Sequence, residues 1–298
     1  MKRTKILLVL GVLLISTTLV SATLLSFYGE VRTTANVKQS IVFDGKEDNT
    51  AITREINTVG GNSKCFKEQI KNRAEIDGNV DLVTTYNDPV GVTTTIYQSP
   101  NTVTLQMNNK DANWIEIDDD GMSGTLTFAP IGTTFDYTFS ATGLKASTDY
   151  CLIYYADPWA GNHPGAYIAT ITTDGSGNIV GSTGSVNLGI NIPSSPDPNY
   201  VSHTGGKIWL VTAIDYDIST HSMKAWNMQD YLFEHNLVVY TDCNLPIDCW
   251  MAPLLGTPIT GTLTVPAESH IHLIFCYQFA INIEGGQYII STKAVPVI

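Results

Sequence analysis

The stretch VDLVTTYNDPVGVTTTIYQSPNTVTLQMNN (Val80–Asn109) contains three runs rich in β-branched residues, each closed by turn residues. Val80–Tyr86 ends at Asn-Asp-Pro, Val92–Tyr97 is followed by Ser-Pro-Asn, and Thr102–Met107 ends at Asn-Asn. Val, Ile, Thr and Tyr favour strands, whereas Pro, Asn and Asp interrupt them. Runs of about five to eight residues at this spacing are typical of a β-sandwich. The stretch therefore predicts an all-β fold.

The middle of the chain differs from its two ends. From about Gly121 the sequence is richer in Gly, Thr and aromatic residues, and after Cys243 its composition again resembles that of the opening part. We therefore expect a β-sandwich with a second β-sandwich domain inserted into it, with the first domain formed by residues 31–115 and 245–298 and the inserted one by residues 116–244. Two short segments show a helical pattern instead, Cys65–Asn72 and Met223–Phe233.

Residues 1–22 have the pattern of a secretory signal peptide. Three basic residues precede the uncharged run Ile6–Val20, and Val20-Ser21-Ala22 places small residues where signal peptidase reads. We expect cleavage after Ala22 and a secreted, extracellular protein at the cell surface. The alternative is that Ile6–Phe27, an uncharged run of about 22 residues, stays uncut and anchors the chain in a membrane.

Cleavage leaves a strand-like segment, residues 23–30, at the new N-terminus. An apolar, β-prone strand needs an apolar partner, either in its own fold or in another molecule. We therefore regard this segment, together with the following valine, as a candidate polymerisation strand: Thr23, Leu24, Leu25, Ser26, Phe27, Tyr28, Gly29 and Val31.

The chain is acidic. Its formal net charge is −12, and removal of the three basic residues of the signal moves it to −15. Such a chain repels phosphate backbones, so we expect no nucleic-acid partner.

Five cysteines follow the signal, an odd number that leaves at least one thiol outside any intramolecular pair. Export makes disulfides possible. Cys243 and Cys249 are close enough in sequence to close a small loop and are a candidate disulfide, although buried strand thiols fit the pattern equally well.

Two places could hold a metal ion. His270 and His272 are two residues apart, so in a strand they share a face and could ligate a metal together; a solvated rim explains them as well. The run Glu116–Gly121 resembles the first half of a calcium loop, with oxygen ligands offered by Glu116, Asp118 and Asp120. Its twelfth position is Thr127 rather than an acid, so an acidic turn competes with a loose structural calcium site. No other cofactor is expected.

Catalytic motifs are absent from the sequence. It contains no His-Glu-x-x-His zinc motif, no Gly-x-Ser-x-Gly elbow and no phosphate-binding glycine loop, and we predict that the protein is not an enzyme. Tyr154 and Tyr155, with Trp159 beside Asp157, offer the rings of a carbohydrate-binding platform; packing in a core is the alternative.

Several sequence segments resemble TasA/camelysin-type exported proteins, particularly their archaeal surface relatives. The resemblance covers about residues 20–110 and 245–298. It is carried at the start by Leu24–Gly29, Val31–Val37, Ser40–Gly45, Cys65-Phe66, Ile70–Arg73 and Val80–Thr85, and at the end by Phe275–Ile281 and Gly286–Thr292 with Pro296. The middle segment looks like a domain found in archaeal exported proteins.

This resemblance implies a jelly-roll-like subunit of an extracellular filament, pilus or sheath that serves biofilm or cell–cell contact. In such filaments the N-terminal strand of one subunit completes the sheet of the next, so the partner is the protein itself as a head-to-tail homopolymer. The inserted domain would contact neighbouring filaments or cell-surface components. The alternatives are a membrane-anchored adhesion or glycan-binding protein and, because some camelysin relatives are classed as metalloproteases, a metallopeptidase.

Overall fold

The computed structural model describes residues 40–43, 50–88, 90–155, 165–194, 205–283 and 285–297. These ranges consist mainly of antiparallel strands, which confirms the all-β prediction. Within these ranges, helical structure is limited to three 3₁₀ turns and one short helix: Ala213–Asp215, Met228–Asp230, Cys249–Met251 and α1 (Ala252–Leu255). None of the helices in these ranges has the length and apolar character needed to cross a bilayer.

Both ends of the described chain contribute to a two-sheet sandwich. The first sheet has the strand order β1 (Ile41–Phe43), β3 (Ser63–Asn72), β21 (His270–Phe279), β5 (Val92–Ser99) and β19 (Thr257–Pro258). The second has the order β2 (Ala51–Thr58), β22 (Gly286–Pro296), β4 (Gly78–Tyr86) and β20 (Leu263–Val265). Strands from the beginning and the end of the chain alternate throughout the second sheet and, from β3 onwards, in the first sheet.

Strand β21 illustrates how the sequence pattern builds the sandwich core. Its odd-numbered residues from Ile271 to Phe279 are buried between the two sheets, and Phe275 meets Phe43 of β1 edge-on, with ring centroids 6.4 Å apart. Its even-numbered residues point to the opposite face, as the two-residue period of a strand requires. Those residues include His270, His272 and Cys276.

Strand β3 pairs with β21 over nine residues, from Ser63 opposite Gln278 to Lys71 opposite His270. The helix expected at Cys65–Asn72 is therefore wrong. Phe66 and Ile70 are four residues apart, which resembles helical spacing, but both are on the face that packs against the sandwich core. Tertiary pairing with a distant strand overrides the local pattern.

The middle of the chain forms one nine-stranded sheet. Its strands follow the order β12 (Ala166–Thr172), β11 (Asp149–Tyr155), β14 (Lys207–Thr212), β17 (Leu232–Glu234), β6 (Val103–Lys110), β8 (Ser123–Phe128), β10 (Phe135–Thr142) and β13 (Ile179–Val186), with β7 (Glu116–Ile117) paired to β6. The end strands β12 and β13 are in contact, so the sheet curls into a nearly closed barrel. We call this part the barrel.

The barrel begins earlier than the sequence suggests. Because β6 pairs with β8 and β17, the chain enters the barrel near residue 102 rather than residue 116. Met223–Phe233, expected to be helical, contains only one 3₁₀ turn, between the short strand β16 (Ser222–Met223) and β17; β16 pairs with β15 (Tyr216–Asp217). Leu152, Phe139 and Leu210 are among the fully buried residues of the barrel core.

The chain leaves the barrel close to where it enters. After the parallel pair β9 (Ile131–Gly132) and β18 (Thr241–Asp242), residues 243–256 cover the outer face of the first sheet; we call them the cover segment. The next strand, β19, then pairs with β5, placing Thr257 opposite Gln98. The barrel is therefore inserted between two neighbouring strands of the sandwich.

We predict that Phe275→Ala lowers the free energy of unfolding by about 3–5 kcal/mol, because it opens a cavity in a fully buried site. Ile281→Ala is the control, since Ile281 is 90% exposed and should change stability by less than about 0.5 kcal/mol. Chemical denaturation followed by circular dichroism measures both. Equal effects of the two substitutions would contradict the assignment of Phe275 to the core.

Candidate functional site

The predicted polymerisation strand, Thr23–Gly29 with Val31, lies outside the described residues. Trp159 and Asp157 of the predicted aromatic platform also lie outside them. The remaining candidates can be placed: the two histidines, the acidic run, the cysteines, Tyr154 and Tyr155.

Among the described strands, β2 forms the longest edge of the sandwich, with β22 on one side and no described strand on the other. In the neighbouring strand β22, the N–H of Ala294 donates to the carbonyl oxygen of Thr50 (2.9 Å), so the backbone of Ala294 faces β2. The carbonyl oxygen of Ile289 accepts from the N–H of Asn87 (3.0 Å), so the backbone of Ile289 faces β4 instead. Because antiparallel residues alternate in direction, Glu55, which lies opposite Ile289, points its backbone N–H and C=O away from β22. Thr53 and Asn57 do the same, and within the described ranges these groups have no backbone partner.

The side chains of β2 make this edge half apolar and half polar. Ile52 and Ile56 are buried in the sandwich core, while Thr53, Glu55 and Asn57 are exposed. Arg54 forms an ion pair with the buried Glu68 of β3 and lies over the Phe66 ring, 5.2 Å from its centroid. This ion pair joins the two sheets at their edge.

A cleft of about 1210 Å³ separates the outer face of the first sheet from the barrel. It is lined by Lys67, Gln69 and His272 of the sandwich, by Ile131 and Asp136 of the barrel, and by Cys243 and Cys249 of the cover segment.

Lys67 binds the cover segment to the sandwich across this cleft. Its ammonium group donates to Leu245 O (2.9 Å), Thr241 Oγ1 (3.2 Å) and Asp242 O. Burial lowers the pKa of Lys67, against the opposing effect of Cys243 and Asp242. Since all three donors of the ammonium are used, Lys67 holds the junction and offers no free nucleophile.

His270 and His272 share one face of β21, as predicted. Their ring centroids are 5.4 Å apart, His270 is exposed, and His272 lies 3.5 Å from the amide nitrogen of Gln69. Burial lowers the pKa of His272, and His270 adds to the effect. Among the described residues, no third His, Cys, Asp or Glu ligand joins them in a metal-sized group.

The acidic run is not folded around a common point. Glu116 Oε2 pairs with His235 Nδ1 (2.8 Å), Asp118 accepts from the Asn108 amide (3.3 Å), and Asp120 accepts from the N–H of Met122 (2.8 Å). The three carboxylates therefore serve a short strand and a turn, and they form no ligand group in the part of the chain that the structure describes. This placement favours the acidic-turn interpretation over the calcium site.

The candidate disulfide Cys243–Cys249 is wrong. The disulfide joins Cys65 to Cys276, and both Cys243 and Cys249 are free thiols. Cys65 and Cys276 lie directly opposite each other in β3 and β21, with Cα atoms 4.2 Å apart, a separation typical of a close antiparallel pair. Cys65 and Cys276 pair because they are neighbours in the sheet, whereas closeness in sequence suggested the pair Cys243–Cys249.

An aromatic surface lies on the face of the barrel sheet opposite its core, and Tyr155 is the described residue of the predicted platform that contributes to it. It is formed by Trp114, Tyr155, Trp209, Trp226, Tyr231 and Phe233. Tyr155 stacks on Trp209 at 3.8 Å, and Trp114 lies 6.0 Å from Trp226. Trp114 and Trp226 are 49% and 40% exposed, whereas Trp209 is buried. Tyr154, by contrast, packs in the barrel core.

A tight turn presents Trp114. The Asp111 carboxylate accepts from the N–H groups of Asn113 (2.8 Å) and Ile115 (2.9 Å), and these bonds lower the pKa of Asp111. Trp114 itself donates its N–H to Asp111 O and has φ +64°, a conformation that bulky residues rarely adopt. The residues Asp-Ala-Asn indicate this turn in the sequence. The aromatic rings, however, come from four separate segments, so the sequence does not show that they meet.

Glu234 is buried beside this surface. Burial raises the pKa of Glu234 to about 7, partly offset by Lys110, Lys207 and the Trp209 indole. Neither Glu234 Oε2 nor Trp209 Nε1 has a hydrogen-bond partner of ordinary geometry among the described residues.

We predict that Glu234→Gln removes a pH dependence of stability. The folded chain holds this proton more tightly than the unfolded one, so its contribution is present in full below the ordinary glutamate pKa of 4.5 and is lost as the pH rises to about 7. Between pH 5 and pH 8 the wild type should lose roughly 3 kcal/mol relative to the variant, as measured by urea unfolding. Glu75→Gln, at an exposed site, is the control, and parallel curves for wild type and Glu234→Gln would contradict the prediction.

Comparison of the chain with protein-family models, with curated proteins and with solved structures gave no match in any of the three.

Proposed function

We propose that the protein is an exported structural subunit of an extracellular filament, in which residues 23–31 of one subunit add as a strand to the open edge of β2 in the next. The single observation that carries this proposal is the row of outward-facing backbone groups on β2. Donors and acceptors in such a row are a template for one more strand.

Strand lengths favour β2 as the acceptor. The other edge strands of the sandwich, β1, β19 and β20, have three residues or fewer, whereas β2 has eight. Natural sheets commonly protect their edges by making them short. A long edge that no described strand covers is therefore a place for a partner, and the predicted donor segment, residues 23–30, has a matching length.

The geometry of such a contact leads to a filament. A strand at one end of the subunit and an acceptor edge elsewhere on its surface make a head-to-tail interface, which does not close on itself unless a ring forms. The acidic charge keeps free subunits soluble and apart. In this arrangement the barrel lies outside the polymerising sandwich and is available for contacts with neighbouring filaments or the cell surface.

We predict that Glu55→Pro and Phe27→Asp each abolish filaments of the mature chain. Proline removes the outward N–H of the acceptor edge without removing a bond to β22. Aspartate places a charge where an apolar side chain of the donor would be buried. Negative-stain electron microscopy measures the filaments, and size-exclusion chromatography checks that the variants remain folded monomers.

A matched control distinguishes the two faces of the donor strand. Ser26→Asp changes the face that alternates with the one that carries Phe27. We expect Ser26→Asp to polymerise normally. Normal filaments from either Glu55→Pro or Phe27→Asp would rule out this donor and acceptor pair.

The aromatic surface favours a second candidate function, adhesion to carbohydrate. Exposed indole rings with nearby polar groups are suited to the apolar faces of sugar rings. We predict that the double variant Trp114→Ala, Trp226→Ala binds roughly tenfold more weakly to a polysaccharide that slows the wild-type chain in affinity electrophoresis. Trp250→Ala, in the cleft, is the control. A wild-type chain whose mobility no neutral or acidic polysaccharide alters would exclude this function.

A further inference from the structure

Three sulfur atoms meet where the cover segment lies on the sandwich. Cys65 and Cys276 form the disulfide between β3 and β21, and Cys249 is a free, half-buried thiol. The Sγ atoms of all three lie within 4.8 Å of one another. A free thiol is thus placed within reach of both sulfurs of a disulfide.

The fold itself holds Cys249 in this position. Ile247 makes an antiparallel bridge with Cys65, which fixes the backbone two residues before Cys249. Just after it, the buried side chains of the cover segment pack with Cys65, Cys276 and Ile274 in one apolar cluster: Met251, Ala252 and Leu255. Anchors on both sides of Cys249 therefore keep its thiol over the disulfide.

We propose that Cys65, Cys249 and Cys276 form an internal thiol–disulfide exchange site. The Cys249 thiolate attacks Sγ of Cys65; the Cys249–Cys65 bond forms as the Cys65–Cys276 bond breaks, and Cys276 leaves as a thiolate that takes up the proton lost by Cys249. Attack on Cys276 releases Cys65 in the same way. One disulfide and one thiol are present before and after, so no oxidant or reductant is consumed.

Exchange changes what the covalent bond connects. In the described structure it joins two paired strands of one sheet; after attack on Cys65 it joins β3 to the cover segment instead. The site is reachable from solvent, since Cys65 and Cys249 both line the cleft. This inference goes beyond the proposed filament and does not depend on it.

The surroundings of Cys249 determine the rate of the exchange reaction. Burial raises the pKa of Cys249 to about 11, with a further contribution from Asp248 and a smaller opposing one from Lys64. Only the thiolate attacks, so its fraction, and with it the exchange rate, should rise about tenfold for each pH unit between pH 7 and pH 9.

The test captures the released thiols. Oxidised native protein is incubated at pH 9 without reductant while N-ethylmaleimide is added in small portions, then digested and mapped by mass spectrometry. We expect maleimide on Cys65 or Cys276 as well as on Cys249, at a rate that does not change when the protein is diluted tenfold. Maleimide confined to Cys249 among these three residues would overturn the proposal.

Two variants separate this mechanism from others. Cys249→Ser should leave Cys65 and Cys276 unlabelled, with the disulfide intact and the circular dichroism spectrum unchanged. Cys243→Ser, which removes the exposed thiol of the same segment, should label like the wild type. Labelling of Cys65 or Cys276 that persists in Cys249→Ser, or that falls tenfold on dilution, would show that another thiol is the attacking group and refute the site.

Discussion

The pairing of β3 with β21 is the contact on which the rest of the structure depends. It joins residues that are 211 positions apart at the disulfide, and it places one early and one late strand side by side at the centre of the first sheet. The sandwich core forms on one face of this pair and the cleft with its cover segment on the other. Closing so long a loop is entropically costly, and nine residues of register with a disulfide offset that cost.

Buried charges follow from this architecture wherever the chain passes from one layer to another. Arg54 and Glu68 pair across the two sheets, and Lys67 binds backbone carbonyls where the chain leaves the barrel. In each case a charge that would be costly to bury alone has a partner, an opposite charge for Arg54 and carbonyl oxygens for Lys67. Glu234 differs, because burial raises the pKa of its carboxyl group to about 7 against the smaller opposing effects of Lys110 and Lys207.

The sequence predicted the strands where local chemistry decides them and missed features that depend on distant contacts. Val80–Asn109 contains β5 and nearly all of β4 and β6, because β-branched runs and turn residues agree there. Cys65–Asn72 was misread since its apolar spacing fits a helix, while only β21 shows that it is a strand. The disulfide and most of the aromatic surface were missed for the same reason: opposed cysteines and clustered rings come from segments far apart in the chain.

The place where the barrel joins the sandwich has a mechanical consequence. Gln98 and Thr257, on the two strands that flank the insertion, are paired neighbours in one sheet, so both chain connections to the barrel leave the sandwich at the same place. A pulling force that enters and leaves through the sandwich strands would pass through their lateral hydrogen bonds and bypass the barrel. Tension would reach the barrel only through its side contacts with the sandwich, such as those of Lys67 with Thr241 and Asp242.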